Sequence, residues 1–224
     1  MALKNFRKQY KEVIKTSPYK VYKEYRDDTG AHPRKYSDVE CEFASKHIHN
    51  VIPRPNYKML DVGSYRKFVL GLLASYDMDT LDVRPLQGEH IEKETRIQMD
   101  IKNLKDEEKY HVITSLSSLE HFGLGRYGDE FDLKADEKAI TNMINALKTG
   151  GHLIFTTTIR RGLPELCFNA HRTYNIQLLH KLCEPLELVE EKFYSRELGK
   201  ICDVKDITMK PRKWDVYMGC WRKK

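Results

Sequence analysis

The sequence predicts an α/β protein built on a mostly parallel sheet, and three observations support this prediction. Apolar runs of strand length alternate with segments of helical periodicity between residues 59 and 157. Gly63 directly follows the first of these runs, where a tight turn from strand to helix is expected. No convincing helix lies between the last two strand-like runs, 186–194 and 214–221, so they are expected to pair antiparallel at one edge of the sheet.

Each predicted element follows from a local pattern. The first strand, Met59–Val62, is a short and mainly apolar run that a glycine ends. The helix predicted at 134–147 has apolar residues at helical spacing and is stopped by Gly150-Gly151. Residues 195–213 are expected to form a long loop. The remaining predicted strands are 80–83, 96–99, 111–116 and 152–157, and the remaining predicted helices of this part are 67–75 and 176–183.

Residues 1–55 are expected to form a helical N-terminal extension or lid, and residues 56–224 the main domain. Apolar side chains recur at helical spacing over residues 3–15, and a Ser-Pro pair ends that helix. A second helix is expected to begin near Ser37, because serine followed by aspartate is typical of a helix start.

The composition indicates a soluble protein of the cytoplasm. Of the 224 residues, 40% are hydrophobic and 32% are charged, which is typical of a globular chain. No apolar run approaches the roughly 18 residues that a membrane helix needs, and the N-terminus lacks the apolar core of a signal peptide. The five cysteines are scattered without CxxC spacing, which favours reduced thiols over disulfides or a zinc site.

The chain has a net charge of +6, and its basic residues are dense near both ends, in residues 4–26 and 210–224. Such charge attracts anionic partners, for example a nucleotide sugar, a phosphate or a nucleic acid. A solvated surface is the simpler and favoured interpretation. The sequence contains no aromatic-basic recognition motif of an RNA-binding module, so a nucleic-acid partner is not expected.

Several motifs follow the predicted strands in a recognisable order. Asp61-x-Gly63 follows the first strand, Asp82 the second and Asp100 the third, and a Lys-x-Gly-Gly segment precedes the fifth. In this order, residues 56–221 resemble the class I S-adenosylmethionine-dependent methyltransferases. The resemblance implies a Rossmann-like, seven-stranded, mostly parallel sheet with an antiparallel last strand, and S-adenosylmethionine as the cofactor.

The resemblance also implies roles for the residues at the strand ends. Gly63 would let the backbone approach the cofactor closely, Asp61 would lie near the methionine ammonium group, and Asp82 would accept from the ribose hydroxyls. Asp100 and Ile101 would bracket the adenine. The alternative for Asp61 and Asp82 is that they cap neighbouring turns. The expected cofactor-binding residues are Asp61, Gly63, Ser64, Asp82, Asp100, Ile101 and Ser115.

One departure from the family pattern lies in the first turn. Many members have Gly-x-Gly-x-Gly, whereas this chain has a single glycine, Gly63, followed by Ser-Tyr-Arg-Lys-Phe. The turn is therefore expected to be a variant, and the contacts of residues 64–66 stay open. The lack of further glycines also argues against a nicotinamide cofactor, whose pyrophosphate needs them.

The segment Ser115–Asp129 begins at the end of the fourth strand and is rich in glycine. It resembles the Ser-x-Glu-His-x-Gly-x-Gly-Arg-Tyr-Gly-Asp loop of a little-characterised bacterial methyltransferase subgroup, some of whose members are linked to capsule and surface-glycan biosynthesis. That resemblance implies a sugar hydroxyl as the methyl acceptor. A capsule polysaccharide precursor or a nucleotide sugar would carry that hydroxyl.

His121 is the candidate general base, because a neutral imidazole takes up a proton near neutral pH. Glu120 either orients His121 or is itself the base. A histidine that only stabilises the loop by hydrogen bonding is the structural alternative. A less favoured alternative is a divalent cation held by Glu120, His121 and Asp129. No metal is predicted, because the spacing of these residues matches no recognised motif.

A second polar cluster follows the fifth strand. His171 and Arg172 are candidates for binding a substrate phosphate, and Tyr127 and Tyr174 for stacking on a ring. The alternatives are a helix cap with surface charges and ordinary core or rim tyrosines. The expected substrate-binding residues are Arg126, Tyr127, Asp129, Asn169, His171, Arg172 and Tyr174.

Together these features predict an S-adenosylmethionine-dependent O-methyltransferase acting on a sugar hydroxyl. A methyltransferase of nucleic acid or of another small metabolite is one alternative. A non-catalytic protein that keeps the fold as a scaffold is another. A homodimer is left open.

Overall fold

The structure is a computed structural model that describes residues 3–18, 20–23, 35–51, 57–89 and 91–224. The chain divides into two compact units, Met1–Arg34 and Lys35–Lys224. The first unit contains helix α1 (Leu3–Thr16), close to the predicted 3–15. Residues 19–35, which were also predicted to belong to the extension, lie largely outside the described residues.

The second unit contains all other helices and strands of the described residues. Short 3₁₀ helices occur at Ile101–Asn103, Leu119–His121 and Val204–Asp206. The α-helices are α2 (Tyr36–Val51), α3 (Arg66–Leu73), α4 (Ala135–Ala146) and α5 (Ile176–Leu182). The strands are β1 (Met59–Val62), β2 (Met78–Asp82), β3 (Glu94–Gln98), β4 (Tyr110–Leu116), β5 (Leu147–Ile159), β6 (Glu165–Cys167), β7 (His171–Thr173), β8 (Leu186–Ser195), β9 (Lys200–Cys202) and β10 (Asp215–Lys223).

The central sheet has the strand order β3-β2-β1-β4-β5-β10-β8-β9. Strands β1 to β5 pair in parallel, whereas β10 runs antiparallel to both β5 and β8. The predicted α/β fold with an antiparallel last strand is therefore confirmed. Strands β6 and β7 form a separate antiparallel hairpin.

The sheet has eight strands rather than the predicted seven. The extra strand is β9, which pairs with the end of β8 and lies in the segment predicted as a loop. A tight turn joins the two strands, with Gly199 at φ +65° donating its N–H to the Ser195 carbonyl at 2.9 Å. A strand of three residues is too short to show a periodicity, so the pattern of the sequence did not indicate it.

Both faces of the sheet are covered, which explains the continuous apolar runs of the parallel strands. Successive strand residues point to opposite faces. Accordingly Met59 packs in one buried cluster with Phe43 of α2, while Leu60 packs in the other with Met143 of α4. In the part of the chain that the structure describes, every helix is too short or too polar to cross a membrane.

Helix α2 belongs to the larger unit, which begins at Lys35 rather than at the predicted boundary between residues 55 and 56. Val39, Phe43 and Ile48 are buried against the sheet. The predicted helix start near Ser37 is correct to within one residue. Its assignment to an extension was wrong because an apolar helix face does not reveal which partner it packs against.

Candidate functional site

Two adjoining hollows lie at the carboxyl ends of β1 and β2, where a ligand of a parallel sheet is expected. The first hollow is lined by Gly63, Asp82, Asp100, Ile101, His121 and Asp129, among others. The second hollow is lined by Asp61, Gly63, Ser64, Tyr65, Arg66 and Asp82, among others. Because Gly63, Asp82, Arg84, Ser117 and Tyr127 border both, the two hollows form one groove.

Gly63 forms the turn after β1. Its φ of +68° lies in the left-handed region that favours glycine. The Gly63 N–H donates to the Leu81 carbonyl at 3.0 Å, and Ser118 Oγ donates to the Gly63 carbonyl at 2.6 Å. A Cβ added here would lie 3.1 Å from Ser118 Oγ. The turn therefore lets a ligand approach the backbone, and a side chain would disturb it.

Asp61 is buried beneath this turn. Its Oδ1 accepts from the Thr114 hydroxyl at 2.7 Å and its Oδ2 from the Ser64 N–H at 3.1 Å. Ser64 Oγ in turn accepts from the Leu116 N–H at 2.9 Å. Burial raises the pKa of Asp61 to about 6. The carboxylate thus caps the turn, as the alternative interpretation expected, and it also lines the second hollow.

Asp82 is the last residue of β2 and lines both hollows, and its carboxylate forms an ion pair with Arg84. The Arg84 N–H and Nε donate to Asp82 Oδ1 at 2.8 and 2.9 Å, and Nη2 donates to Oδ2 at 2.7 Å. The same guanidinium lies 4.5 Å from the centre of the Tyr127 ring. A ligand hydroxyl that binds Asp82 therefore competes with this guanidinium for the carboxylate oxygens.

Asp100 and Ile101 border the first hollow at the end of β3, as expected. Asp100 Oδ1 accepts from the Lys102 N–H at 3.1 Å and thereby caps the short helix Ile101–Asn103. Ile101 is buried in the core and presents only part of its surface to the hollow.

Ser115 does not border either hollow, which corrects its expected role in cofactor binding. It is fully buried within β4, and its Oγ donates to the Val62 carbonyl at 3.0 Å. The strand continues to Leu116, so the residues that line the groove are Ser117 and Ser118. The predicted end of the strand, residue 116, is the observed one. Ser115 nevertheless turns its side chain to the Val62 carbonyl inside the sheet, and residue spacing does not reveal that partner.

Sequence reasoning missed Glu40, a fully buried acid of α2. Its Oε1 accepts from the hydroxyls of Ser117 and Thr156, both at 2.6 Å, and its Oε2 accepts from Tyr65 at 2.9 Å. Burial raises the pKa of Glu40. Ser117 has a φ of +49°, so Glu40 holds a left-handed residue at the border of both hollows. An acid beside the apolar Val39 was the signal that could have found it.

His121 and Glu120 lie in the short helix after β4. His121 Nδ1 lies 2.6 Å from the Ala170 carbonyl, and because a carbonyl only accepts, Nδ1 carries the proton. In the neutral ring, Nε2 is then the free acceptor, 3.9 Å from Glu120 Oε1. Glu120 Oε2 accepts from the Thr157 hydroxyl at 2.8 Å.

Burial shifts both groups toward their neutral forms. It lowers the pKa of His121 to about 4, and the charge of Arg126 lowers it further against the Ala170 hydrogen bond. Burial raises the pKa of Glu120 to about 8. At neutral pH the imidazole is therefore uncharged with a free Nε2 lone pair, beside a protonated carboxyl group.

The lowered pKa of His121 makes stability depend on pH. In the unfolded chain, histidine has a pKa of about 6.5 and binds a proton below that pH. In the folded protein, His121 stays neutral until the pH falls to about 4. The contribution of His121 to the free energy of unfolding is therefore greatest above pH 6.5 and falls as the pH drops toward 4, by up to about 2 kcal/mol. Urea unfolding at about pH 7.5 and pH 5 should show a larger loss for wild type than for His121→Gln.

In that comparison, glutamine keeps a donor for the Ala170 carbonyl. The other histidines with a lowered pKa are present in both proteins, so their contributions cancel. Equal losses in the two proteins would mean that His121 has an ordinary pKa.

The glycine-rich loop is organised by Asp129. Its Oδ2 accepts from the Gly125 N–H at 3.1 Å and its Oδ1 from the Tyr127 N–H at 3.0 Å. Two guanidinium groups lie over the Tyr127 ring, that of Arg84 and, at 5.1 Å, that of Arg126. Within the described ranges, no three His, Cys, Asp or Glu side chains come together as a metal site requires.

Arg172 and Tyr174 are structural, which corrects their expected role in substrate binding. Arg172 is buried and donates to the carbonyls of Phe122, Asp132 and Leu133. Tyr174 is also buried, and its hydroxyl donates to Asp136 at 2.8 Å. Neither lines the groove, because the β6–β7 hairpin packs them under the glycine-rich loop.

Asn169 and His171 lie at the tip of this hairpin and do not line the two hollows. They flank Ala170, whose carbonyl accepts from His121 and, at 3.1 Å, from Arg126 Nη1. The hairpin tip is therefore next to the first hollow without forming its wall.

Comparison with known families gives a first assignment. Residues 77–215, more than half of the chain, match the model of a family described as "Caenorhabditis protein of unknown function, DUF268". The chain belongs to the DUF268 family. No curated protein matches it.

Solved structures show what fold the DUF268 chain has. It is similar to the 1,6-didemethyltoxoflavin-N1-methyltransferase of Burkholderia thailandensis, bound to 1,6-didemethyltoxoflavin and S-adenosylhomocysteine, with a TM-score of 0.61, 14% identity and coverage of 83% and 79% of the two chains. It is also similar to the N-methyltransferase NodS of Bradyrhizobium japonicum WM9 in complex with S-adenosylhomocysteine. Here the TM-score is 0.54, the sequence identity is 15%, and the match covers 98% of each chain.

A third similar structure is the [4+2]-cyclase SpnF, with a TM-score of 0.59, 13% identity and coverage of 98% and 93%. At such identities the similarity establishes the fold. The DUF268 chain therefore has the class I fold of S-adenosylmethionine-dependent methyltransferases, as predicted.

Proposed function

We propose that the DUF268 chain is an S-adenosylmethionine-dependent O-methyltransferase that acts on a sugar hydroxyl of a nucleotide sugar or of a capsule or surface-glycan precursor. The observation that supports it most is the groove in which the left-handed Gly63 lies beside Asp82 and Asp100. A Cβ at Gly63 would crowd Ser118, which also lines the groove, at 3.1 Å from its Oγ. The acids supply acceptors for the amino and hydroxyl donors of the cofactor.

Each part of the groove has a proposed role. The second hollow, with the turn-capping Asp61, takes the methionine part of the cofactor, whose ammonium group suits a carboxylate. Asp82 takes the ribose hydroxyls after Arg84 has moved away. Asp100 and Ile101 take the adenine in the first hollow.

When bound, S-adenosylmethionine supplies an electrophilic methyl group on a positively charged sulfur. The chain must align the acceptor oxygen with that methyl group, which accounts for much of the rate in reactions of this kind. His121 Nε2 would take up the proton of the acceptor hydroxyl as the methyl group is transferred. Glu120 positions His121 rather than taking the proton, because its pKa of about 8 keeps it protonated at neutral pH.

A small-metabolite N-methyltransferase is the second candidate. Two of the similar structures are N-methyltransferases by description. An amine acceptor would use the same groove and would also release a proton. A nucleic-acid substrate and a non-catalytic scaffold are less favoured, because the groove keeps its acids. The five free cysteines support a cytoplasmic location.

The proposal is tested by calorimetric titration of the full chain with S-adenosylhomocysteine. We expect saturable binding at one site per chain. NAD⁺ is the control ligand and should bind far more weakly, because the turn at Gly63 lacks the further glycines that a pyrophosphate needs. Absence of saturable S-adenosylhomocysteine binding by folded protein would refute the proposed function.

A further inference from the structure

A group of cationic and aromatic side chains lies beside the groove, and we call it the basic–aromatic cluster. Its members are Tyr36, Arg126, His171, Arg196 and Trp214. Arg196 Cζ lies 3.8 Å from the centre of the Trp214 ring. The Trp214 ring lies edge-on to Tyr36 at 5.7 Å and to His171 at 6.0 Å. The members come from α2, the glycine-rich loop, the β6–β7 hairpin and the segments flanking β8 and β10.

The cluster adjoins the groove on two sides. On one side, Ala170 precedes a cluster residue and its carbonyl accepts from His121, which lines the first hollow. On the other side, Tyr36 lies one helical turn before Glu40 on α2, and Glu40 accepts from Tyr65, which lines the second hollow. A molecule held in the cluster therefore has the proposed reaction site beside it.

The two guanidinium groups of the cluster have no carboxylate partner among the described residues. Arg126 donates to the Ala170 carbonyl, and Arg196 stacks on Trp214. Asp215 lies nearby, but its oxygens accept from the backbone N–H groups of Arg196 and Thr208, at 2.8 and 2.7 Å. Arg172, in contrast, is committed to Asp136 and to backbone carbonyls. The free N–H edges in this region are thus those of Arg126 and Arg196.

His171 lies near enough to both arginines for their charges to act on it. Its Nε2 is buried without a hydrogen-bond partner in the structure. Burial lowers the pKa of His171, and the charges of Arg126 and Arg196 lower it further, so both cations act on the same ring. A neutral imidazole near two guanidinium groups can donate a hydrogen bond from its ring N–H to an oxyanion, which only accepts.

We propose that the basic–aromatic cluster binds the phosphate of a phosphorylated methyl acceptor, such as a sugar phosphate or a nucleotide sugar. The inference rests on the proposed methyltransferase function and specifies its substrate class. Guanidinium groups recognise phosphate through paired N–H donors, and stacking on Trp214 holds Arg196 in one plane with its N–H edge free. Arg126 and Arg196 thereby take the role that the sequence suggested for Arg172.

The test uses inorganic pyrophosphate as the probe, titrated into the full chain with and without S-adenosylhomocysteine. Wild type should bind it, and Arg126→Gln and Arg196→Gln should each lower the affinity about tenfold or more, because each removes charge-assisted hydrogen bonds. The matched control is Arg222→Gln. Arg222 is exposed and lies at the opposite end of β10 from Trp214, so this variant makes the same change of charge away from the cluster.

Each outcome decides the assignment. The assignment is supported if both cluster variants lose pyrophosphate affinity while Arg222→Gln binds as wild type does. It is overturned if wild type binds no pyrophosphate, or if all four proteins bind it equally. A short single-stranded DNA is the second probe, and tighter binding of this DNA that the same variants abolish would assign the cluster to nucleic acid instead. Pyrophosphate is also titrated without S-adenosylhomocysteine. Phosphate binding by the cluster can therefore be measured even if the cofactor does not bind and the proposed function fails.

Discussion

Replacing Asp82 with alanine should weaken S-adenosylhomocysteine binding by about 100-fold or more. The proposed site places two ribose hydroxyls on this carboxylate, and a hydrogen bond to a charged group contributes about 1.5–3 kcal/mol. Loss of two such bonds corresponds to about two powers of ten or more in affinity. Calorimetric titration of wild type and Asp82→Ala measures the change.

Arg84→Ala is the informative companion variant. Arg84 holds Asp82 through three hydrogen bonds in the ligand-free protein, so its removal frees the carboxylate and should leave binding equal or tighter. Asp203→Ala controls for loss of a negative charge, since Asp203 is exposed and pairs only with the exposed Lys205 among the described residues. If Asp82→Ala bound S-adenosylhomocysteine as tightly as Asp203→Ala does, the ribose would not lie on Asp82.

Gly123→Ala should destabilise the fold by about 3 kcal/mol or more. Gly123 has a φ of +70°, and an added Cβ would lie 2.2 Å from the Asp132 carbonyl oxygen and 2.4 Å from Ala135 Cβ. Left-handed strain costs about 1–2 kcal/mol, and overpacking adds about 1–3 kcal/mol. Urea unfolding followed by circular dichroism measures the loss.

Gly125→Ala separates these two causes. Gly125 has a similar φ of +71°, but an added Cβ would meet only the Asp129 carbonyl, at 3.7 Å. This variant should carry the strain alone and lose about 1–2 kcal/mol. Equal losses in the two variants would show that the backbone around Gly123 moves to make room.

The Gly123 region shows which groups Arg172 binds in place of a substrate. The Gly123 carbonyl accepts from the Asp132 N–H at 2.9 Å, which closes the glycine-rich loop. Arg172 then binds the carbonyls of Phe122, Asp132 and Leu133 on both sides of that closure. Arg172 therefore holds the loop in place beside His121.

Much of the groove could be predicted from the sequence. The turn at Gly63 and the acids Asp61, Asp82 and Asp100 all lie at the ends of β1, β2 and β3, as expected. This succeeded because apolar periodicity identifies the strands, and because parallel strands of one sheet end at the same edge. These are local patterns combined with one rule of topology.

The tertiary structure alone decided the partners of the side chains. Glu40 reaches Ser117, 77 residues later in the chain, and Arg84 covers the carboxylate of Asp82. Arg172, which the sequence favours as a phosphate ligand, is instead buried against backbone carbonyls. Burial and hydrogen-bond partners depend on which distant segments pack together, and residue spacing carries no information about that packing.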